Sequence, residues 1–305
     1  MARRGIDVTT AFQIGAVALL GFGAWKLGAA MLSGDGSGTF YFVMRAGAFP
    51  PRDHPSVAVR IPPGFDRSRP LGVAVYLHGW SNCVANAIGS TDSPCVPGGV
   101  VHRASALAEQ FDRARINAIL VVPQMAYNQA SGDPGTFSRP GGFRAFIEEL
   151  LSEHLASAIG RHSVADVARL AVMSHSGGYL AAAAILRQAD VRVAEVAMLD
   201  SLYGEVPVFE RWIESHAEAL ARGESRFADV YTSTGGTRDN SNLLARRIRS
   251  LLPTPLPAGV LVQDEDPGHA VRASVLIEHT ALSHADLTRV YPERLWSTSG
   301  FTPIG

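Results

Sequence analysis

The sequence has almost no lysine and no excess charge of either sign. Its 305 residues carry 27 basic and 28 acidic side chains, a formal net charge of −1, and Lys26 is the only lysine. Proteins that bind nucleic acids usually present an excess of basic residues on one face, so this balance gives no indication of a nucleic-acid partner. We interpret the preference for arginine over lysine as genome composition.

Cysteine is also scarce. Cys83 and Cys95 are the only two, and both fall in one segment rich in glycine, proline and serine. Two cysteines without a nearby cluster of further cysteine and histidine argue against a zinc site. In an oxidising compartment they would form a local disulfide, and in a reducing cytosol they would stay free thiols.

A long apolar stretch without acidic residues lies near the N-terminus. Arg3 and Arg4 precede residues 11–32, in which Lys26 is the only charge. This stretch is long enough to cross a bilayer, and positive charge before it predicts that the rest of the chain lies outside the cytoplasm. A cleaved signal peptide is the alternative, because Gly28-Ala29-Ala30 offers small residues near a cut.

We therefore expect three parts. Residues 1–32 are a membrane anchor or signal segment, residues 33–40 a flexible linker and residues 41–305 one domain. At 47% hydrophobic residues, a domain of this length can bury a large core. We favour an uncleaved anchor with the domain at the periplasmic side or cell surface, and cleavage would make the protein secreted.

Apolar runs typical of buried strands alternate with amphipathic runs typical of helices. This alternation predicts an α/β fold with a mostly parallel central sheet and helices on both faces. The predicted strands are 57–61, 71–77, 118–122, 170–173, 193–199, 228–233 and 274–279. The predicted helices are 101–113, 143–159, 180–188, 208–221, 243–251 and 287–295.

The most informative segment is Ser174-His175-Ser176-Gly177-Gly178, between an apolar run and an alanine-rich helix. A serine on a sharp strand-to-helix turn needs small residues two positions before and after it, because strand and helix approach closely there. Ser174 and Gly178 meet this need, so Ser176 is the predicted nucleophile, with a plain turn as the alternative. Adjacent side chains at such a turn point apart, so we expect His175 to pack beside the sheet.

Two stretches carry a resemblance to the α/β-hydrolase superfamily, which spans about residues 57–295. Asp166-Val167-Ala168-Arg169-Leu170, leading into the Ser176 segment, is similar to the same region in exported esterases of the esterase D and polyhydroxyalkanoate-depolymerase type. Leu77-His78-Gly79-Trp80 resembles their oxyanion loop. The resemblance implies the α/β-hydrolase fold and a serine hydrolase that cleaves small carboxylic esters through an acyl-enzyme, without metal or organic cofactor.

The resemblance places the general base after the last strand. His284 follows that strand and precedes the final helix, whereas His269 lies before the strand and His279 ends it. His284 is therefore the predicted base.

Two aspartates compete for the role of the triad acid. Asp239 matches the usual Gly-Thr-x-Asp placement of the superfamily, but it also precedes a helix that it could cap. Asp200 closes an apolar strand, which is an alternative position of the acid in the superfamily. Either choice gives the chain order Ser, Asp, His.

By the same resemblance, the backbone N–H groups of Gly177 and Trp80 form the oxyanion hole. We expect Asn82 and Tyr127 in the pocket wall or in plain loop roles, and His78 in a structural one. The disulfide would brace this loop.

Two other functions remain open at this stage. A peptidase or amidase would use the same triad on an amide. A non-catalytic binding protein would keep the fold with an incomplete triad.

Overall fold

The structure is a computed structural model that describes residues 36–50, 54–234, 236–251, 260–264 and 274–305. The strands in these residues are β1 (Gly38–Phe42), β2 (Val57–Ile61), β3 (Leu71–Leu77), β4 (Ser93–Pro94), β5 (Val101–His102), β6 (Ala118–Pro123), β7 (Val167–His175), β8 (Glu195–Leu199), β9 (Arg226–Thr232), β10 (Val260–Asp264) and β11 (Val275–Thr280).

Nine of these strands form one sheet in the order β1-β2-β6-β3-β7-β8-β9-β11-β10. The pairs from β6 to β10 are parallel, and β2 is antiparallel to both β1 and β6. The prediction of a mostly parallel sheet is confirmed. Every residue of β3 is buried, as expected for a strand covered on both faces.

Helices cover both faces of the sheet. They are α1 (Val84–Ile88), α2 (Leu107–Ala114), α3 (Gly142–Glu149), α4 (Ala156–Ile159), α5 (Tyr179–Gln188), α6 (Val206–Ser215), α7 (Ala217–Ala221), α8 (Arg238–Leu251) and α9 (Leu287–Ser297). Apolar side chains of α3, α5, α6 and α8 form one core cluster. Those of α1, α2 and α9 form a second core cluster on the opposite face. The sheet between two cores holds the ends of its strands in fixed positions.

Several segments differ from the sequence predictions. The expected helix 208–221 forms two helices, α6 and α7. Strand β1 begins at Gly38, inside the expected linker 33–40, because it pairs with β2. The expected helix 101–113 starts only at Leu107, because β5 pairs with β4 before it. The expected helix 143–159 is divided by a π-helical turn at Leu150–Leu155.

The predicted anchor, residues 1–32, lies outside the described residues. In the part of the chain that is described, every helix is too short or too polar to cross a membrane.

Candidate active site

Ser176 lies at the turn between β7 and α5, at the centre of the sheet. Its φ is 53°, a left-handed conformation that costs a non-glycine residue about 1–2 kcal/mol. A Cβ atom at Gly178 would lie 2.4 Å from the carbonyl oxygen of Leu77, so only glycine fits there. Ser174 is completely buried and shares a hydrogen bond of 2.9 Å with the Ser201 hydroxyl. The small residues around Ser176 are therefore required by close backbone contacts.

The loop after β3 lies directly against this turn. A Cβ atom at Gly79 would come within 2.7 Å of the Ser176 Cβ, and one at Gly177 within 2.2 Å of the Trp80 indole nitrogen. The Trp80 side chain is nevertheless 56% exposed. The Trp80 indole therefore lies against Gly177, next to Ser176. The role of the two backbone N–H groups in an oxyanion hole stays a prediction.

His78 fixes this loop to the end of β6. Its Nδ1 lies 2.9 Å from the carbonyl oxygen of Gly79, and its Nε2 accepts a hydrogen bond of 3.1 Å from the backbone of Met125. The Gln124 amide lies 2.9 Å from the same Nε2. Burial lowers the pKa of His78 to about 4, so the ring is neutral and structural, as expected.

Asp200 and His284 meet at the same edge of the sheet. Asp200 follows β8, is completely buried and has a left-handed φ of 44°. Nδ1 of His284 lies 2.7 Å from Oδ2 of Asp200. Thr232 donates to Asp200 from its hydroxyl at 2.8 Å and from its backbone at 3.2 Å, and the Thr237 hydroxyl also donates. Burial alone would raise the pKa of Asp200, but these donors outweigh it and lower the pKa to about 2.

Asp239 lies elsewhere. It is exposed in the first turn of α8, where the positive end of the helix dipole stabilises a carboxylate. The Gly-Thr-x-Asp segment reaches the site through Thr237, which donates to Asp200. His279 is the penultimate residue of β11, and its Nε2 lies 2.7 Å from the Ser233 hydroxyl. His269 lies outside the described residues.

Tyr203, which no sequence motif singles out, lies next to both Ser176 and His284. Its hydroxyl forms a hydrogen bond with the Ser176 side chain, and its ring centroid lies 6.4 Å from that of His284. Burial and the charge of Asp200 raise the pKa of Tyr203 to about 12. Among the residues that the structure describes, no hydrogen bond joins the Ser176 hydroxyl to His284, a contact that is often long in ligand-free enzymes.

His175 differs from its expected place beside the sheet. Its ring centroid lies 4.5 Å from that of His284, and its Nε2 lies 3.0 Å from the carbonyl oxygen of His284. The strand ends in an extended residue at His175, which aims the ring toward the loop after β11. The turn therefore contributes two neighbouring side chains to the site.

A disulfide and local hydrogen bonds stabilise the segment after Trp80. The predicted disulfide joins Cys83 and Cys95, whose Cα atoms are 5.7 Å apart. Asn82 accepts a hydrogen bond of 2.8 Å from the backbone of Cys83, and the Tyr127 hydroxyl donates to the carbonyl oxygen of Cys95. Asn82 and Tyr127 thus have loop roles. Within the described ranges, no group of three or more His, Cys, Asp or Glu side chains could hold a metal ion.

No protein-family model matches the sequence, and no curated protein matches it. Solved structures do match. The feruloyl esterase module from Clostridium thermocellum, in complex with sinapinate, superposes with a TM-score of 0.52 at 13% identity over 90% of this chain and 96% of that one. A ferulic acid esterase superposes with a TM-score of 0.50 at 14% identity over 79% of this chain and 90% of that one. Together with the sheet order and the Ser176 turn, these similarities show that the chain has the α/β-hydrolase fold.

Proposed function

We propose that the protein is a serine hydrolase that cleaves carboxylic esters through an acyl-enzyme, with Ser176, His284 and Asp200 as its triad. The observation that carries this proposal is the 2.7 Å contact between His284 and a fully buried Asp200, beside a serine in a left-handed turn. Left-handed non-glycine residues are costly and cluster at functional sites. Both Ser176 and Asp200 have this conformation.

The acylation step follows from these contacts. Asp200 accepts the Nδ1 proton of His284, which leaves Nε2 as the basic nitrogen. The Ser176 hydroxyl exchanges its contact with Tyr203 for Nε2, loses its proton to it, and attacks the ester carbonyl carbon. The tetrahedral intermediate collapses, the C–O bond to the alcohol breaks, and the His284 imidazolium returns the proton to the departing alkoxide.

Deacylation repeats the sequence with water. His284 takes a proton from a water molecule, which attacks the acyl-enzyme, and then returns that proton to Ser176 as the carboxylic acid leaves. The backbone N–H groups of Gly177 and Trp80 would stabilise the oxyanion in both steps. A donor of this kind contributes about 2.7–4 kcal/mol of transition-state stabilisation.

The choice of an ester substrate is supported by the two superposed structures, both of which are esterases by name. The resemblance of the Ser176 and Trp80 segments to exported esterases points the same way. We therefore propose a small ester as substrate. Amide cleavage by the same triad is a separate outcome of the test.

A fluorophosphonate probe tests the nucleophile. It should label the wild-type protein, and Ser176→Ala should abolish labelling. Ser152→Ala, an exposed serine of the π-helical turn, is the matched control and should label normally. Labelling that survives Ser176→Ala contradicts the assignment.

A pair of chromogenic substrates tests the reaction class. Short p-nitrophenyl esters should be hydrolysed much faster than p-nitroanilides with the same acyl group. The reverse preference would identify an amidase, and folded protein inert to both substrates and to the probe would indicate a binding protein.

We also propose that the domain is anchored to a membrane and lies outside the cytoplasm. Arg3 and Arg4 before the apolar residues 11–32 support this orientation, and so does the disulfide, because disulfides persist mainly in oxidising compartments. Cell fractionation should find the protein in the membrane fraction, accessible to protease added outside the cytoplasmic membrane. Full-length protein in the cytoplasm with free thiols would contradict this proposal.

A further inference from the structure

The imidazole of His175 contacts both the backbone and the ring of His284. Its Nε2 lies 3.0 Å from the His284 carbonyl oxygen, and the two rings are tilted by 36° with centroids 4.5 Å apart. A carbonyl oxygen only accepts hydrogen bonds, so Nε2 of His175 carries the proton. The residue before the nucleophile therefore holds the loop that carries the base.

The surroundings keep the His175 ring uncharged. Burial lowers the pKa of His175 to about 3, and the positive charges that His284 and His78 can carry act in the same direction. The carbonyl of His284 and the carboxylate of Asp200 act against this shift without overcoming it. During catalysis His284 becomes an imidazolium, and a second positive charge 4.5 Å away would oppose that step. A neutral ring does not.

The loop that carries His284 is fixed after the base by an ion pair between Asp286 and Arg103 and by hydrogen bonds between Ser283 and Asp286. It links β11 to α9, and the His284 side chain is 34% exposed. The groups facing this side chain are Asp200, His175 and Tyr203. Asp200 holds only Nδ1 of the ring, whereas His175 holds the main chain of the same residue. Two contacts on opposite parts of one residue fix both its position and its rotation.

We propose that His175 is a positioning residue for His284. The Nε2–H group of His175 fixes the backbone of His284, and the uncharged ring of His175 does not oppose the positive charge that His284 gains. This inference rests on the proposed serine-hydrolase function for its kinetic consequence. The contact with Asp200 that it is meant to secure can be measured without any activity.

Two variants separate the hydrogen bond from the ring. His175→Phe keeps an uncharged ring and removes the donor, whereas His175→Gln keeps an amide donor and removes the ring. Misplacing a catalytic group by about 1 Å can cost about 100-fold in rate. We therefore expect His175→Phe to lower kcat by about 10- to 100-fold with little change in KM, and His175→Gln to retain most of kcat.

The pH profile gives a second readout. A carboxylate favours the charged form of a neighbouring imidazole, so a looser contact between Asp200 and His284 should weaken this effect. The acid limb of kcat/KM should then move to lower pH in His175→Phe and remain near its wild-type position in His175→Gln. A purely structural role of His175 would lower the unfolding temperature without moving this limb.

Proton NMR tests the contact directly. The Nδ1 proton of His284, held between nitrogen and the Asp200 carboxylate, should give a downfield signal that Asp200→Asn removes. This signal should weaken or exchange faster in His175→Phe, and should persist in His175→Gln. His175→Leu provides a second donor-free variant if the phenyl ring prevents folding, and thermal unfolding shows which variants are folded.

The outcomes separate the two proposals. An active wild type whose folded donor-free variants keep the wild-type kcat, pH profile and downfield signal would overturn the role of His175. A wild type inert to esters and to the fluorophosphonate probe would overturn the proposed function, and the NMR comparison would then decide the role of His175 alone.

Discussion

Asp200, directly after β8, and Asp229, in the neighbouring strand β9, are two buried carboxylic acids whose pKa values are shifted in opposite directions. Both are 0% exposed, and Asp229 lies in β9 opposite Met198 of β8, two residues before Asp200. The pKa of Asp200 is lowered to about 2, whereas that of Asp229 is raised to about 7. Equal burial has therefore produced one group that is ionised and one that is only partly ionised near neutral pH.

The difference lies in the donors around each carboxyl group. Asp200 accepts hydrogen bonds from Thr232, Thr237 and His284. Neither oxygen of Asp229 makes a well-formed hydrogen bond among the described residues, and the Ser241 hydroxyl is the donor that acts on it. Burial dominates the pKa of Asp229, the charge of Asp200 raises it further, and Ser241 lowers it only in part. Burial destabilises the charged form of a carboxyl group, and the number of hydrogen-bond donors around it decides whether it ionises.

The largest effect should come from Asp200→Asn. The amide removes the negative charge that holds the Nδ1 proton of His284, and the corresponding change in serine proteases lowers kcat by about 10⁴-fold. We expect a loss of the same order in ester hydrolysis. Asp229→Asn, equally buried on the next strand, is the matched control and should keep kcat within a few-fold. Similar losses in both variants would contradict the assignment of Asp200.

Asp229→Asn should instead change the pH dependence of stability. The folded state holds the Asp229 proton more tightly than the unfolded chain, in which the pKa is about 3.9. The wild type should therefore lose stability as pH rises from about 4 to about 7, by an amount on the order of a few kcal/mol. The asparagine variant should lack this loss. Its free energy of unfolding, relative to that of the wild type, should therefore be higher at pH 8 than at pH 5.

Urea unfolding at these two pH values measures the difference. Other groups titrate over the same range in both proteins, so the comparison between variant and wild type isolates Asp229. An equal change in unfolding free energy at pH 5 and pH 8 would contradict a raised pKa.

Thr237→Val should move Asp200 toward the behaviour of Asp229. The variant removes one donor from a buried carboxylate, and a hydrogen bond to a charged group contributes about 1.5–3 kcal/mol. We expect the pKa of Asp200 to rise, with about a tenfold loss of kcat. Thr136→Val, which removes a hydroxyl that donates to the distant carbonyl of Gly47, should cost stability and leave kcat unchanged. Equal kcat in both variants would exclude a role of Thr237 at the site.

The comparison also explains what the sequence could predict. The bounds of β2 and β3 were predicted correctly. Strand β3 is a continuous apolar run, as is typical of a buried parallel strand, and the short apolar run of β2 is closed by Pro62-Pro63-Gly64. The prediction of Ser176 as nucleophile rested on the small residues two positions before and after it and on the strand and helix that flank them. The choice between Asp200 and Asp239 depended on three loops, after β8, β9 and β11, that meet only in the fold. Thr237, two residues before Asp239, is the part of that segment that reaches the site.

Two further residues had no sequence signal for a different reason. His175 and Tyr203 act on their neighbours through ring contacts and single hydrogen bonds, which leave no periodic pattern. The first three residues of β1 were predicted as linker, because this strand is set by its pairing with β2 and not by its own composition. Contacts of this kind join residues far apart in the sequence, so local sequence patterns do not predict them.

Asp239→Asn should give the smallest effect and completes the comparison with an exposed carboxylate. Asp239 lies in the first turn of α8, where its charge interacts with the helix dipole, a contribution below about 1 kcal/mol that salt screens. We expect kcat of ester hydrolysis to stay at the wild-type value and the unfolding free energy to fall slightly, less so at high salt. A large loss of kcat would instead make Asp239 the functional acid, and the buried pair of Asp200 with His284 would then be a structural one.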